Sequence, residues 1–226
     1  MNLPLMIGVS EGEREFIGVK EIALLVRTAR DEYGVSVYLN ADHTHSLEKA
    51  KAAAEAGFDE IIFDASRKPF DQNIRETKQA VEILKSIRPE IVVEGEVGYI
   101  GSSSEIVETV PTESLKLTTP QEAVQFVAET KVDVWAPAVG NMHGLLPSMV
   151  RGETHKRLDI ERIRQIKQAT GSIPYTARRF GDRGWRFRCR DSSRCHDNPH
   201  QRRTARRVAA RDRKQPDGSR SRGYTV

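Results

Sequence analysis

The chain has 226 residues, with 36 lysines and arginines against 32 aspartates and glutamates, which is enough for one α/β domain with a sizeable core. It has no apolar run of the about 20 residues that a membrane-spanning helix needs and no basic-then-apolar secretory signal, so we expect a soluble, cytoplasmic protein without a membrane partner. Its two cysteines, Cys189 and Cys195, are too few for the disulfide framework of a small secreted domain.

The charge is divided sharply along the chain. Residues 1–176 carry 20 basic and 27 acidic side chains, a net charge of −7. Residues 177–226 contain 15 arginines, one lysine and five aspartates, a net charge of +11, and no leucine, isoleucine or methionine. A segment with so few aliphatic side chains cannot build a core. We therefore predict a folded domain over residues 1–176 and a disordered, arginine-rich tail over residues 177–226.

Within the acidic part, short β-branched runs alternate with amphipathic stretches of helical period, which is typical of βα units on a parallel sheet. The predicted strands are residues 3–9, 35–39, 60–63, 91–93, 132–136 and, more weakly, 173–175. The predicted helices are residues 19–33, 46–56, 70–87, 120–129 and 160–169. Ser46 and Thr119 are expected to begin helices, and Gly34 and Gly57 to end them.

Six βα repeats suit either a doubly wound sheet or most of a (β/α)₈ barrel, whose usual length is about 250 residues. Polar residues follow the predicted strands, on loops that would meet at the carboxyl face of a barrel: Asp42 and His43, Asp64, Glu94 and Glu96, Asn141 and His143. No strand is followed by a glycine-rich dinucleotide loop. A barrel is therefore favoured over a doubly wound sheet.

The first polar cluster contains two histidines, His43 and His45, at the end of the second predicted strand. Residues two apart on an extended segment can face the same way, so both could serve one site. The alternative is that they are ordinary polar residues at the start of the helix that follows. Neither interpretation is excluded by this cluster alone.

Two further clusters add candidate metal ligands. Glu94 and Glu96 share one face of a predicted strand, the alternative being solvated acids on an exposed strand. His143 lies between Gly140 and Gly144, directly after a buried strand. Catalytic zinc takes three ligands from His, Asp or Glu and keeps one position open, and His43, Glu96 and His143 meet that count.

Three segments together resemble the class II, metal-dependent fructose-bisphosphate aldolase family and its ketose-bisphosphate relatives. They read Leu-Asn-Ala-Asp-His-Thr-His-Ser (residues 39–46), Val-Glu-Gly-Glu-Val-Gly-Tyr-Ile-Gly (93–101) and Gly-Asn-Met-His-Gly (140–144). The resemblance implies an incomplete (β/α)₈ TIM barrel holding strands 2–7 of the family. It also implies a divalent metal ion, Zn²⁺ or another, and reversible cleavage of a ketose bisphosphate into dihydroxyacetone phosphate and an aldehyde. Intact members of the family are expected to be homo-oligomers.

The resemblance also suggests a role for each matching residue. Asp42 matches the catalytic acid/base that moves the proton of the substrate hydroxyl next to the cleaved bond. His43 and His143 match metal ligands, and Glu96 matches a carboxylate at or near the metal. Gly144 matches a glycine whose backbone helps to hold a substrate phosphate, and Ser10 is a weaker match to a serine that contacts substrate.

The chain departs from the family pattern after Thr176. The family continues there with His-Gly-Gly-Ser-Gly, which supplies a third histidine ligand and a phosphate loop, whereas this chain has Ala-Arg-Arg-Phe-Gly (177–181). Codons for these five residues, GCA CGG CGG TTC GGG, give His-Gly-Gly-Ser when read one nucleotide later. We therefore interpret the tail as frameshifted and expect impaired activity. The loop after Gly101 also has a single acid, Glu105, where many members have two.

Other interpretations concern the tail and the scaffold. The 15 arginines could bind nucleic acid through charge and counterion release, which would make the chain a non-enzymatic binding protein, although we consider a nucleic-acid partner the weaker interpretation. Cys189, Cys195, His196 and His200 lack the spacing of a zinc finger. A metal-dependent isomerase or hydrolase on the same scaffold is a third alternative.

Overall fold

The computed structural model describes residues 5–98, 116–141, 151 and 158–171. The chain divides into two compact units, Met1–Trp185 and Arg186–Val226, and every described residue belongs to the first. The predicted strand at residues 173–175, the predicted boundary after residue 176 and the basic tail all lie outside the described residues.

Strands and helices alternate along the described part of the chain. The strands are β1 (Leu5–Val9), β2 (Val37–Thr44), β3 (Glu60–Phe63), β4 (Val92–Val97) and β5 (Val134–Pro137). The helices are α1 (Glu11–Ile17), α2 (Val19–Tyr33), α3 (Leu47–Ala56), α4 (Phe70–Ile87), α5 (Pro120–Thr130) and α6 (Ile160–Thr170). None of these helices combines the length and the apolar composition that a membrane crossing needs.

The five strands form one parallel sheet in the order β1-β2-β3-β4-β5, so each strand pairs with its neighbour in the sequence. This confirms the predicted α/β architecture. A doubly wound sheet reverses its strand order near the middle, whereas a barrel keeps it sequential, and the described strands keep it sequential. Closure of the sheet into a barrel, complete or incomplete, stays a prediction.

The helix ends follow the capping residues that the sequence predicts. Ser46 begins α3 by accepting a hydrogen bond from the Lys49 amide, and Thr119 begins α5 in a reciprocal pair with Glu122. Gly34 and Gly57 end α2 and α3 in the left-handed conformation that glycine adopts without strain. Local sequence chemistry thus sets where these helices begin and end.

Three elements differ from the prediction. Strand β2 continues to Thr44 and β4 to Val97, so Asp42, His43 and Glu96 belong to strands and not to loops. The prediction ended both strands too early because these residues are polar, and the face of the sheet turned away from the helices is polar as well. Helix α1 was missed as well, although Ser10 and Glu13 form a capping box at its start.

Apolar side chains from the other face of the sheet build the core against the helices. One cluster joins β1, β2 and β3 to α2, α3 and α4 around Leu39, Phe58 and Leu84. A second cluster joins the end of β4 to β5, α5 and α6 around Phe126 and Ile166. With the core on the helix side, the polar side chains of the same strands lie on the opposite face.

Gly95 in β4 offers a test of this packing. A β-carbon at position 95 would lie 3.0 Å from Phe126 Cζ and 3.0 Å from Val132 Cγ1, closer than ordinary contacts. We expect Gly95→Ala to lower the free energy of unfolding by about 1–3 kcal/mol, the usual cost of overpacking, as measured by urea denaturation.

The control is Gly12→Ala in α1, where a β-carbon would meet nothing within 4 Å. Its stability should stay within about 1 kcal/mol of the parent chain. Equal stability of the two variants would show that the sheet does not pack closely on α5.

Candidate active site

Polar side chains gather at the carboxyl ends of β2, β3 and β4, on the face opposite the helices. Asp64 and Glu96 are buried, with 1% and 3% of their side chains exposed, and His43 is 15% exposed. Asp42 beside them is 41% exposed. The site therefore has a buried floor and one open carboxylate.

A bulge in β2 lets two consecutive residues reach this site. Ala41 pairs with Ile61 and Thr44 with Phe63, so Asp42 and His43 together face one residue of β3, Ile62. In a regular strand their side chains would point to opposite faces. The bulge removes that constraint, and His43 adopts a positive φ of 38° within it.

His43 joins the two buried carboxylates. Its Nδ1 atom lies 3.2 Å from Asp64 Oδ2 and 3.3 Å from Glu96 Oε1. One ligand atom from each of the three residues lies within 4.8 Å of those of the other two. One imidazole nitrogen and two carboxylate oxygens converging in a buried site form a donor set that suits a divalent metal ion.

His45 lies beside the cluster and not in it. Its ring stacks on that of His43 with 6.4 Å between ring centres, and its Nδ1 lies 3.3 Å from the backbone oxygen of Asp64. The two histidines thus approach the same residue, as their spacing allowed. They do not begin the following helix, which Ser46 caps.

The electrostatics of Asp64 favour its ionised form. Burial by itself would raise the pKa of this carboxyl, but hydrogen bonds with His43 and from Ser66 lower it to about 2. The Ser66 hydroxyl donates to Asp64 Oδ1 at 2.6 Å and the Ser66 amide at 3.0 Å. Asp64 is therefore a fixed negative charge at neutral pH. The sequence had marked it only as an acid after a strand, without a role.

The electrostatics of Glu96 act in the opposite direction to those of Asp64. Burial, and then the charges of Asp64, Glu94 and Asp42, hold its pKa well above the ordinary value. Its Oε2 atom is buried and has no hydrogen-bond partner among the described residues. A divalent cation would both satisfy this oxygen and offset the clustered negative charge, so the residues present fit a metal ion.

Glu94 is buried on the same face of β4, and it is 4% exposed. Burial and the charges of Glu60 and Asp42 raise its pKa to about 8. The alternative of solvated acids on an exposed strand is therefore wrong for Glu94 and Glu96 alike. Such burial favours the protonated form of a carboxyl group when no cation is bound.

The remaining predicted site residues fall into two groups. Ser10 lies at the end of β1, where its hydroxyl is engaged with Glu13 Oε2 at 2.7 Å as the cap of α1, so its contact with substrate stays a prediction. His143, Gly144 and Glu105 lie outside the described residues. The structure thus brings Asp42, His43 and Glu96 together and adds Asp64.

A cleft of about 720 Å³ opens next to the cluster. Its walls include Ser66, which donates to Asp64, and Val97, which follows Glu96 in the chain, together with Lys68, Lys116 and Thr118. Lys68 pairs with Glu76, and Lys116 with Glu122. The cleft has the size of a small-molecule site and carries two ammonium groups in its wall.

The raised pKa of Glu94 predicts how the metal-free chain responds to pH. Because the folded chain holds a proton on Glu94 that the unfolded chain has lost, its stability should fall as the pH rises from about 4.5 to about 8. Glu94→Gln should reduce this slope by up to about 1.4 kcal/mol per pH unit, the value for one proton. Urea unfolding in the presence of a chelator measures the slope. The exposed Glu82→Gln in α4 is the control, and equal slopes in the two variants would contradict the prediction.

The family model described as fructose-bisphosphate aldolase class-II matches residues 1–177. Among curated relatives, the fructose-bisphosphate aldolase of Helicobacter pylori is 33% identical over 174 residues, which are 76% of this chain and 54% of the relative. That of Geobacillus stearothermophilus is 33% identical over 171 residues, 74% of this chain and 56% of the relative. The chain therefore spans about half the length of the curated relatives it matches.

Solved structures agree with the sequence comparisons. The crystal structure of a putative fructose-1,6-bisphosphate aldolase from Coccidioides immitis superposes with a TM-score of 0.58 at 33% identity, covering 76% of this chain and 57% of that one. The YdjI aldolase of Escherichia coli K12 gives a TM-score of 0.59 at 26% identity, covering 74% and 54%. By sequence and by fold, the chain belongs to the class II fructose-bisphosphate aldolase family.

Proposed function

We propose that this chain carries the metal-binding part of an enzyme that cleaves a ketose bisphosphate, of the fructose 1,6-bisphosphate type, into dihydroxyacetone phosphate and an aldehyde. Membership of the aldolase family supports the reaction class. The observation that carries the proposal for this chain is the buried cluster of His43, Asp64 and Glu96, with one carboxylate oxygen left without a partner in the described residues.

His43, Asp64 and Glu96 would hold the metal ion, with His143 as a further ligand by resemblance. We propose Zn²⁺, although the donor set would also accept another divalent ion. When bound, the ion supplies Lewis-acid stabilisation of the negative charge that develops on the substrate as the carbon–carbon bond breaks. Asp64, ionised and held by Ser66, fixes the imidazole of His43 in place.

Asp42 would act as the catalytic acid/base. Its Oδ1 lies 3.8 Å from His43 Nε2, and its side chain is the most exposed of the four, so a substrate hydroxyl can reach it. A carboxylate within hydrogen-bond distance of that hydroxyl can take its proton during cleavage and return it during condensation. The bulge makes this arrangement possible, because it places the proposed proton carrier Asp42 directly beside the proposed metal ligand His43.

The substrate phosphates would be held near the cleft by Gly144 and Ser10, as the resemblance implies. Lys68 and Lys116 in the cleft wall are suitable cations for a bisphosphate, because an ammonium group can exchange a carboxylate partner for a phosphate.

We further propose a cytoplasmic location and, for intact relatives, homo-oligomeric assembly. We give the non-enzymatic, nucleic-acid-binding alternative second place, because it depends only on the charge of the tail.

For the tail we propose a frameshift after Thr176 that removes the third histidine and the phosphate loop and so impairs activity. The family match, which ends at residue 177, supports this interpretation. The coding DNA across codons 174–180 tests it directly. A His-Gly-Gly-Ser coding sequence in the next frame of a fresh isolate supports the proposal, and its absence contradicts it.

Substitutions in the cluster separate metal binding from proton transfer. His43→Ala and Asp64→Asn should each lower Zn²⁺ affinity, by about 100-fold for the histidine, because each removes a proposed ligand. Asp42→Asn should bind Zn²⁺ nearly as the parent chain does. In a chain restored to the His-Gly-Gly-Ser frame, it should abolish the release of dihydroxyacetone phosphate from fructose 1,6-bisphosphate.

The control for this series is His45→Gln, which changes the neighbouring ring and leaves the three proposed ligands in place. Its Zn²⁺ affinity, measured by competition with a chromophoric chelator, should fall by less than that of His43→Ala, because His45 neighbours the proposed ligands His43 and Asp64 without being one. If His43→Ala and His45→Gln bind Zn²⁺ equally well, the ligand assignment is wrong. If a chain restored to the His-Gly-Gly-Ser frame and supplied with a first βα unit binds Zn²⁺ and cleaves no ketose bisphosphate, the proposed reaction is wrong.

A further inference from the structure

Helix α1 carries one buried residue, and that residue is an arginine. Arg14 is 3% exposed, and its guanidinium donates to the carbonyl of Val9, to the carbonyl of Asp42 at 3.0 Å and to the hydroxyl of Thr44 at 2.8 Å. A buried guanidinium is costly unless its N–H groups are satisfied. Here these N–H groups donate to acceptors at the ends of β1 and β2.

Two of these three acceptors flank His43. The Asp42 carbonyl belongs to the peptide that precedes His43, and Thr44 is the residue that follows it. The Val9 carbonyl connects the same guanidinium to the neighbouring strand β1. Arg14 thus ties the backbone carbonyl before the bulged residue and the side chain after it to a second strand.

The backbone of His43 needs such support. A positive φ is uncommon for any residue with a side chain and persists when the surroundings over-determine it. Without the bulge, the alternation of β2 would turn the imidazole toward the helices and away from Asp64 and Glu96. Whatever holds the peptides around His43 therefore also holds its ring in the cluster.

We propose that Arg14 is the positioning residue for His43, holding the bulge of β2 so that the imidazole stays in the metal cluster. This proposal rests on the metal site proposed above, because it assigns Arg14 a role in building that site. The hydrogen bonds of Arg14 go to two backbone carbonyls and one hydroxyl, and none goes to the side chains of His43, Asp64 or Glu96.

Arg30 provides a matched control at the other end of the same strand. Its guanidinium donates to the Val37 carbonyl and to the Asp59 carboxylate, at the amino end of β2. Like Arg14, it ties β2 to a helix and to a neighbouring element. Arg30→Met therefore removes a comparable structural contact far from His43.

The first measurement is made on the full chain without metal. In a chain labelled with ¹³C-histidine, the Cα chemical shift of His43, assigned by its loss in His43→Gln, reports the local backbone conformation. Arg14→Met should move this shift toward the value of ordinary extended backbone, whereas Arg30→Met should leave it unchanged. If Arg14→Met leaves it where the parent chain has it, or if Arg30→Met moves it equally, the proposal is wrong.

The second measurement adds the metal. Arg14→Met should weaken Zn²⁺ binding by about 10-fold or more, as loss of an outer support does, and should alter the visible absorption spectrum of bound Co²⁺. Arg30→Met should change neither. Equal Zn²⁺ affinities in the two arginine variants overturn the proposal. If the parent chain binds no Zn²⁺, the proposed function fails, while the metal-free shift of His43 still decides the role of Arg14.

Two milder variants keep the proposal testable if Arg14→Met does not fold. Thr44→Val removes one acceptor of the guanidinium with little change of shape, and Arg14→Lys keeps a cation that can reach fewer partners. Both should move the His43 shift in the same direction as expected for Arg14→Met, with Zn²⁺ affinity lowered about 3- to 10-fold. Parent-like shifts and affinities in both variants would refute the role of Arg14.

Discussion

Side chains on a strand alternate between two faces, and this site needs two consecutive residues on one face. The bulge at Asp42 and His43 resolves that conflict, and the other features of the site depend on it. Asp64 and Glu96 can share an imidazole only because His43 has left the helix side of the sheet. Asp42 stays open to solvent beside it. Two residues that are adjacent in the sequence, the proposed proton carrier Asp42 and the proposed metal ligand His43, thereby face the same site.

The same region concentrates carboxyl groups where water is scarce. Glu94, Glu96 and Asp64 are buried on one polar face, and the charges that act on Glu96 come mainly from other carboxylates. Such an arrangement lowers stability, and natural proteins keep it where it serves binding or catalysis. A divalent cation at the proposed site would replace the repulsion among these groups by attraction, so its binding would also raise the stability of the fold.

Much of this fold could be predicted from local sequence chemistry. The bounds of α2, β3 and α4 match the prediction because the spacing of their apolar residues, and Gly34 at the end of α2, define them without reference to the rest of the molecule. The ends of β2 and β4 could not be predicted in this way. Their polar residues suggest a loop, and only a site between strands explains why Glu94 and Glu96 are buried.

The site itself was predicted in part, for the same reason. Asp42, His43 and Glu96 were recognised by their motifs, and the structure brings them together. The roles of Asp64 and Arg14 depend on contacts between elements more than 20 residues apart, which no short motif records. The bulge contains no glycine that would have signalled a positive φ, so the direction of the His43 ring could be known only from the structure.

The sequential order of the sheet has a consequence for how this chain folds. Among the described strands, every pairing joins strands that are adjacent in the sequence, so none of these pairings waits for a distant part of the chain. Synthesis proceeds from the amino terminus, so each of these strands leaves the ribosome after the strand with which it pairs on its amino-terminal side. The residues of the site therefore become available in the order β2, β3, β4. Of the two carboxyl groups that contact His43, Asp64 after β3 is therefore available before Glu96 in β4.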